Sequence, residues 1–423
     1  MIKRITLLVF VLSSAIITAQ KNNTSPYSFF GIGEETSYKT VEEIHMGEIG
    51  VAYKNPLKLS FSNPASLASL RLTNYSLGVE SKLLRITDGT NSGSASSSAL
   101  SYLALGFPVS EKAAFSFGLQ PNTTVGYSLT EEFRDDDEDT LTEVNLYTGE
   151  GGTNKVFAGF GINLFKDFNV GIEGSYIFGN IENKLLNRRD EVILATMHKT
   201  KSTLKGFNVR IGAQYDIKLN EKLMLSTGAV IDLESNLKNE GNEYLYTLVN
   251  TSTDIESPRD TLVNNSINST IKKPLRTTLG LGIGEENKWY AGVEYSFQNA
   301  LNFEDGILNS NTKISYDKSS RISFGGFYTP KYNSISNYWQ RVTYRAGVKY
   351  KETGLVVDST SINDFGMSFG VGLPVGQQLS NLNLGLELGK RGEKNNGLVK
   401  ENYINLRLSL TLNDKWFQKR TLN

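Results

Sequence analysis

Gly280-x-Gly282-x-Gly284 has the letters of a phosphate-cradling loop, but a nucleotide site needs those glycines between a strand and a helix. Here they alternate with Leu281 and Ile283 inside a run that itself reads as a strand, so they are taken as small residues on one strand face. Asp135-Asp136-Asp137-Glu138-Asp139 offers the carboxylate oxygens that Ca²⁺ takes. It lacks EF-hand spacing and reads as a solvated loop tip. His45 and His198 are the only histidines, too few for a multi-His metal centre. His45 reads as an ordinarily hydrogen-bonded residue and His198 as a loop residue, because catalysis would need a positioned partner. No nucleophile elbow is read. Without Cys there is no disulfide, thiol nucleophile or Cys-based metal site. The expectation is a protein that is not an enzyme, with no catalytic residue, no metal and no cofactor.

The elements that would carry these residues follow from composition and pattern. The 423 residues include 44 Lys plus Arg against 44 Asp plus Glu, and zero net charge excludes a polybasic nucleic-acid binder. Lys3 and Arg4, the apolar run Ile5 to Ile17 and the small-residue stretch Ile17-Thr18-Ala19 read as a signal peptide over 1–19. That run is too short for a spanning helix of about 20 residues, and no later stretch is long and apolar enough. Any membrane span must be β.

From residue 73 onward the signal is alternation. Phe207, Val209, Ile211, Ala213, Tyr215 and Ile217 share one face of a strand, and Asn208, Arg210, Gly212, Gln214 and Asp216 the other. About fourteen such runs occur, near 73–87, 98–108, 112–129, 154–164, 168–185, 203–219, 222–237, 271–286, 288–299, 318–329, 341–352, 364–374, 380–391 and 402–413. Short turns alternate with long polar segments (88–97, 130–153, 186–202, 238–270, 300–317, 353–363 and 392–401), as in outer-membrane barrels. The connections near 330–340 and 375–379 are long for periplasmic turns. Eight strands make an interior that side chains can fill, whereas fourteen leave a wide lumen. The apolar face therefore points to lipid. The lumen receives Arg210, Asp216, Arg276, Glu294, Arg345 and Arg407, along with Glu173, Lys349 and Glu387. Pairs such as Arg345 with Glu294 are expected to hold wall and N-terminal segment together. Trp289, Trp339 and Trp416 fall near periplasmic strand ends, as an aromatic girdle requires.

Residues 20–72 precede the first strand and have too few apolar positions for their own core, so the lumen is where they can pack. They hold Pro26-Tyr27-Ser28-Phe29-Phe30-Gly31-Ile32-Gly33, a short helix around Thr40 to Met46, and Asn63-Pro64-Ala65, whose Pro suits a helix start. This layout, with Asn63-Pro64-Ala65 just before the first strand, resembles the FadL-type family of outer-membrane transporters. Ser25 to Gly33 and the ending Leu410 to Phe417 resemble its Bacteroidetes-type branch, to which PorV-like members are related. The resemblance implies an all-β transmembrane antiparallel barrel of about 14 strands with an N-terminal plug: signal peptide 1–19, plug 20–72, barrel 73–413, periplasmic tail 414–423. It implies passive uptake of a small hydrophobic molecule, of the fatty acid or aromatic class, gated by plug movement at Asn63, Pro64 and Ala65. The alternative is a non-transporting barrel subunit of an outer-membrane secretion or assembly complex, of the type IX secretion kind. Expected partners are outer-membrane lipid, a hydrophobic small-molecule ligand or complex subunits, and no nucleic acid. No motif matches a fatty-acid-binding residue, and the tail beyond Asn413 departs from the usual barrel ending. Asp139-Thr140-Leu141, Asp260-Thr261-Leu262 and Asp358-Ser359-Thr360 resemble an O-glycosylation pattern in external loops.

Overall fold

The computed structural model describes residues 25–89, 91–135, 139–249, 258–301, 314–376, 380–394 and 398–416. The signal-peptide reading, the centre of the Asp135–Asp139 run and most of the C-terminal tail lie outside them. Fourteen wall strands are described: β1 (Thr73–Thr87), β2 (Ser92–Ser110), β3 (Ala113–Arg134), β4 (Leu141–Phe165), β5 (Phe168–Arg189), β6 (Leu194–Lys218), β7 (Leu223–Asp232 and Ser235–Val249), β8 (Pro258–Lys273 and Arg276–Glu285), β9 (Trp289–Gln298), β10 (Ile314–Tyr316 and Ser319–Tyr328), β11 (Thr343–Val357), β12 (Thr360–Val375), β13 (Ser380–Arg391) and β14 (Lys400–Asp414). Each pairs antiparallel with its neighbours, and β14 closes on β1 from Lys400–Thr87 to Asp414–Thr73.

The wall is inside-out relative to a soluble barrel. Ile211, Tyr215 and Ile217 of β6 are exposed, while Asn208, Arg210, Gln214 and Asp216 between them are buried. Leu279, Leu281, Tyr295, Phe297, Phe324 and Phe369 continue the exposed apolar belt around the other strands. Such a belt is stable only against hydrocarbon, and closure leaves few strand edges unpaired, as lipid demands. The chain forms a transmembrane β-barrel.

Most of the long polar segments expected to be loops are strand. β4 and β6 each run 25 residues, well beyond the roughly 9–11 that cross a bilayer. The first turn of this kind closes within Asp88–Asn91, and β11 turns into β12 at Asp358 and Ser359. Beyond the bilayer the outward face no longer has to be apolar, so the ladder continues while the alternation that marks it in sequence fades; the inner face keeps an apolar cluster of Ala195, Met197, Tyr246 and Leu248 on β6 and β7. Asp260-Thr261-Leu262 consequently lies on β8, and His198 on β6, bonded at 2.7 Å to Glu243.

Residues 25–72 lie against the inner face. Val41, Leu59, Phe61, Leu67 and Leu70 form one apolar cluster with Tyr102, Ala104, Ala114 and Phe157 of the wall. Within this segment are 3₁₀ turns at Pro26–Phe29 and Pro64–Ser69, a four-residue helix Val41–Ile44 with a Thr40/Glu43 capping box, and a two-residue strand Glu34–Glu35.

Candidate functional site

The ladder between β2 and β3 is incomplete. It runs from Ser110–Ala113 to Leu103–Leu119 and stops, although β2 continues along β1 to Ser92 and β3 continues along β4 to Arg134. The cause is local to β3. Pro121 has no N–H for a ladder bond, and register against β4 slips between Pro121 and Thr123. Across that bulge, Gly151 and Gly152 adopt φ of +114° and +139°, where a side chain is strained. A Cβ on Gly152 would stand 2.3 Å from the Thr123 carbonyl oxygen. A bulge bends its strand, so the outer half of β3 parts from β2.

The two edges of the gap are occupied differently. On β2 it is Ser92-Gly93-Ser94-Ala95-Ser96-Ser97-Ser98-Ala99-Leu100-Ser101, small and rich in hydroxyls. On β3 the N-terminal segment takes the vacant positions: Glu34 and Glu35 pair with Thr124 and Thr123, Thr36 N–H donates to Asn122 O at 3.0 Å, and Gly126 N–H donates to Ser28 Oγ at 3.1 Å. A cavity of about 940 Å³ opens here, bounded by Gly93 to Ala95 on one side and Val125 to Ser128 on the other. Val125, Tyr127 and Ile181 give its lining an apolar part and belong to a cluster with Ile177, Leu204, Phe29 and Ile32, while Glu150, Glu182 and Lys201 give it a charged part. The Phe29 ring meets Tyr127 edge-on at 5.1 Å.

The segment is seated by close backbone approach and by charge. Asn63 is fully buried. Its Nδ2 donates to Val51 O (2.9 Å) and to Ala213 O of β6 (3.0 Å), and its Oδ1 accepts from Ala65 N–H at 3.0 Å as an N-cap. Wall glycines make room: a Cβ on Gly212 would fall 2.0 Å from Asn63 Oδ1, and one on Gly171 would fall 2.3 Å from the Pro64 carbonyl carbon. Gly212→Val is expected to overpack this seat and destabilise it by about 1–3 kcal/mol. A lower thermal midpoint for release of the N-terminal segment from an otherwise intact barrel would register this; an unchanged midpoint would refute the seat.

Charge pairing joins segment to wall at many points. Glu294 is the hub. It binds Lys39 and, at 2.9 Å, Arg321, and its other oxygen accepts Gly50 N–H (2.9 Å) and Val51 N–H (3.0 Å). Glu48 holds Arg321 at 2.6 Å and Lys349 at 2.7 Å. Glu35 meets Arg276 at 2.7 Å, and Glu34 meets Arg391 at 2.6 Å and Lys82 at 2.9 Å. Burial opposes ionisation of these carboxyls, yet the facing cations hold Glu34, Glu35 and Glu48 well below the usual carboxylate range.

Three comparisons bear on this architecture. The model of the BamG family matches residues 1–423. The chain belongs to the BamG family. No curated protein matches it. Among solved structures, a Pseudomonas aeruginosa FadL homologue superposes with a TM-score of 0.59 at 13% identity, covering 90% of this chain and 98% of the other. The CymD monoaromatic hydrocarbon channel gives 0.58 at 14%, covering 89% and 98%. The P. putida toluene transporter TodX gives 0.57 at 15%, covering 91% and 100%. At such identity these likenesses establish the barrel fold and nothing finer.

In this BamG-family barrel the residues singled out in the sequence are distributed as follows. Arg210 is buried between Asp232 (2.8 Å) and Glu173 (3.5 Å), with Tyr38 stacked 4.1 Å from its guanidinium carbon. Asp216 pairs with Lys54, and Arg407 with Glu387 and, at 3.0 Å, Glu80. Arg345 does not meet Glu294; it bonds Asn383 Oδ1 at 3.2 Å. His45 is wholly buried, and neither ring nitrogen has a hydrogen-bond partner among the described residues, contrary to the ordinary bond expected of it. Gly366-Met367-Ser368-Phe369-Gly370 does spell the elbow pattern, but it lies mid-strand in β12, with Ser368 Oγ accepting Gly47 N–H at 3.0 Å, so no elbow forms. Sequence reading missed the wall gap. Its signals were a proline inside a strand run, Pro121, and the adjacent glycine pair Gly151-Gly152.

Proposed function

We propose that this barrel captures a small hydrophobic molecule in the cavity lined by Val125, Tyr127 and Ile181 and passes it sideways through the gap between β2 and β3 into the bilayer. The observation that carries this reading is the contiguity of an apolar-flanked cavity of about 940 Å³ with an unpaired stretch of wall; ligand sites are typically concave spaces of about 300–1,000 Å³. In this reading the short-turn mouth faces the periplasm, residues 20–72 act as the plug, and residues 1–19 are a cleaved signal peptide. Movement around Asn63, Pro64 and Ala65 admits the solute to the lumen side of the gap. Nothing in the mechanism consumes energy, so flux follows the gradient.

The chain has no Cys, which makes a stapling test clean. Ser97→Cys on β2 with Val125→Cys on β3, joined by a cleavable dithiol-reactive linker, is expected to lower uptake of radiolabelled toluene into cells at least tenfold. Cleaving the linker restores it. Undiminished uptake with the staple in place rejects lateral passage.

The buried ion-pair lock around Glu294 and Glu48 favours a second reading, a non-transporting barrel subunit of an outer-membrane complex, because a segment so tied to the wall resists movement. Gentle extraction followed by mass spectrometry separates the two. A stoichiometric companion protein together with no toluene uptake supports the subunit.

A further inference from the structure

At the mouth formed by the short turns, well away from the wall gap, a second cavity of about 440 Å³ is lined by Tyr53, Lys58, Trp289, Tyr290, Phe327 and Arg345. Arg345 is the exceptional residue. It is only 6% exposed, yet among the described residues no carboxylate lies within ion-pair distance of it. Arg210, Arg276, Arg321, Arg391 and Arg407, the other lumen arginines discussed, each hold one or more. Its one hydrogen bond runs to a neutral acceptor, Asn383 Oδ1. Glu42, Glu285 and Glu286 also border the cavity; Glu285 pairs with Lys288 at 3.0 Å, and the Glu42 oxygens already accept from Asn383 Nδ2 at 2.8 Å and from Ser409 and Thr411 at 3.5 Å. A guanidinium withdrawn from water without an anion is costly.

The site is shaped around that cation. On the neighbouring strand β12, Gly372 leaves the space the guanidinium fills: a Cβ there would stand 2.8 Å from one terminal nitrogen and 2.9 Å from the other. Lys58 adds a second cation from the N-terminal segment, with no carboxylate in ion-pair contact among the described residues. Burial and the Arg345 charge bring its ammonium down to about 7, so an arriving anion would stabilise its charged form. Opposite stands an aromatic wall: Tyr53 lies 5.0 Å from Tyr290 and 5.6 Å from Phe327, and Tyr290 stacks on Phe327 at 6.2 Å.

We infer that this cavity is a binding site for an aromatic carboxylate, whose acid group pairs with Arg345 and Lys58 and whose ring packs against Tyr53, Tyr290 and Phe327. Arg is suited to the first task because its planar fork matches a carboxylate with two parallel hydrogen bonds. Aromatic rings suit the second through edge and offset contacts. The site stands independently of the transport reading, since it lies at the opposite mouth from the gap.

Isothermal titration of the full chain in detergent tests it with 3-phenylpropionate, the uncharged 3-phenylpropan-1-ol and octanoate as probes. The expected result is saturable binding of 3-phenylpropionate at least tenfold tighter than of the alcohol, with octanoate weaker than the aromatic acid. Arg345→Gln is expected to abolish the preference for the acid, and Gly372→Ala to weaken acid binding by displacing the guanidinium. Heat-modifiable gel mobility reports that both variants keep the barrel. Loss of acid binding in folded Arg345→Gln upholds the site. Acid affinity unchanged by Arg345→Gln, or no saturable binding at all, overturns it, and octanoate binding as tight as the aromatic acid overturns the aromatic assignment.

Discussion

Glu294→Ala is expected to unseat the N-terminal segment while leaving the barrel closed. Glu294 and Lys39 are each about 1% exposed, and removing one partner of a buried ion pair costs about 3–5 kcal/mol because the other charge is stranded. Here the loss is compounded. Lys39 would keep only the Glu48 carbonyl oxygen as acceptor, and the Gly50 and Val51 N–H groups would lose theirs. At about 1.4 kcal/mol per tenfold, the released population rises by about two to four orders of magnitude. Native-state proteolysis at Lys39, Lys54 and Lys58 reads that population directly when opening is fast relative to cleavage. Glu294→Gln, which keeps an acceptor but not the charge, should fall between wild type and Ala. Cleavage at the wild-type rate in Glu294→Ala would mean that the lock does not hold the segment.

Acidification is expected to release the same segment through His45. Its ring is enclosed by the wall at Gly370 and Gly385, where an added Cβ would lie 2.6 Å and 2.3 Å from it. Burial first, then the Arg407 and Arg345 charges, lower its basicity from 6.5 to about 3, against a smaller opposing pull from Glu387. In the released segment His45 regains its ordinary value, so below about pH 6.5 the released state binds a proton that the seated state refuses. Seating therefore weakens as pH falls from about 6.5 toward 3, by about 1.4 kcal/mol per unit. Glu34, Glu35 and Glu48, held low by their cations, stay ionised through this window. Glu43 opposes the trend, because burial raises its carboxyl and the seated state takes up that proton first. The test is consequently a difference: protease protection measured from pH 7 to 4.5 in wild type and in His45→Leu. The wild type should lose roughly tenfold more protection per unit than the variant. Parallel pH profiles would exclude His45 as the titrating group.

How much of this was legible beforehand differs by element. The fourteen strands were readable because a membrane wall imposes strict alternation: Ile211, Tyr215 and Ile217 must satisfy lipid while Arg210, Gln214 and Asp216 face a polar interior. Where that constraint ends, so did the reading. On the outer parts of β4, β6, β7 and β8 the outward face no longer meets hydrocarbon, and their polar residues were taken for loops although the ladder continues. The burial of Arg210, Asp216 and Arg407 followed from the same alternation.

Partner choice did not follow. Glu294 pairing with Lys39, 255 residues away, or Arg345 standing without a carboxylate among the described residues, depends on how a folded-back segment meets strands from all round the wall, and no local pattern encodes it. The gap is intermediate. Pro121 and Gly151-Gly152 are visible as interruptions, but only the paired register reveals that both act on the same bulge and leave β2 without a neighbour. The sequence by itself determined that this is a closed, inside-out β-barrel with a polar interior, since alternation and strand number are properties of the chain. Tertiary structure alone decided which charges meet, where the wall parts and which arginine faces the cavity at the short-turn mouth, because those outcomes depend on distances between residues the chain keeps far apart.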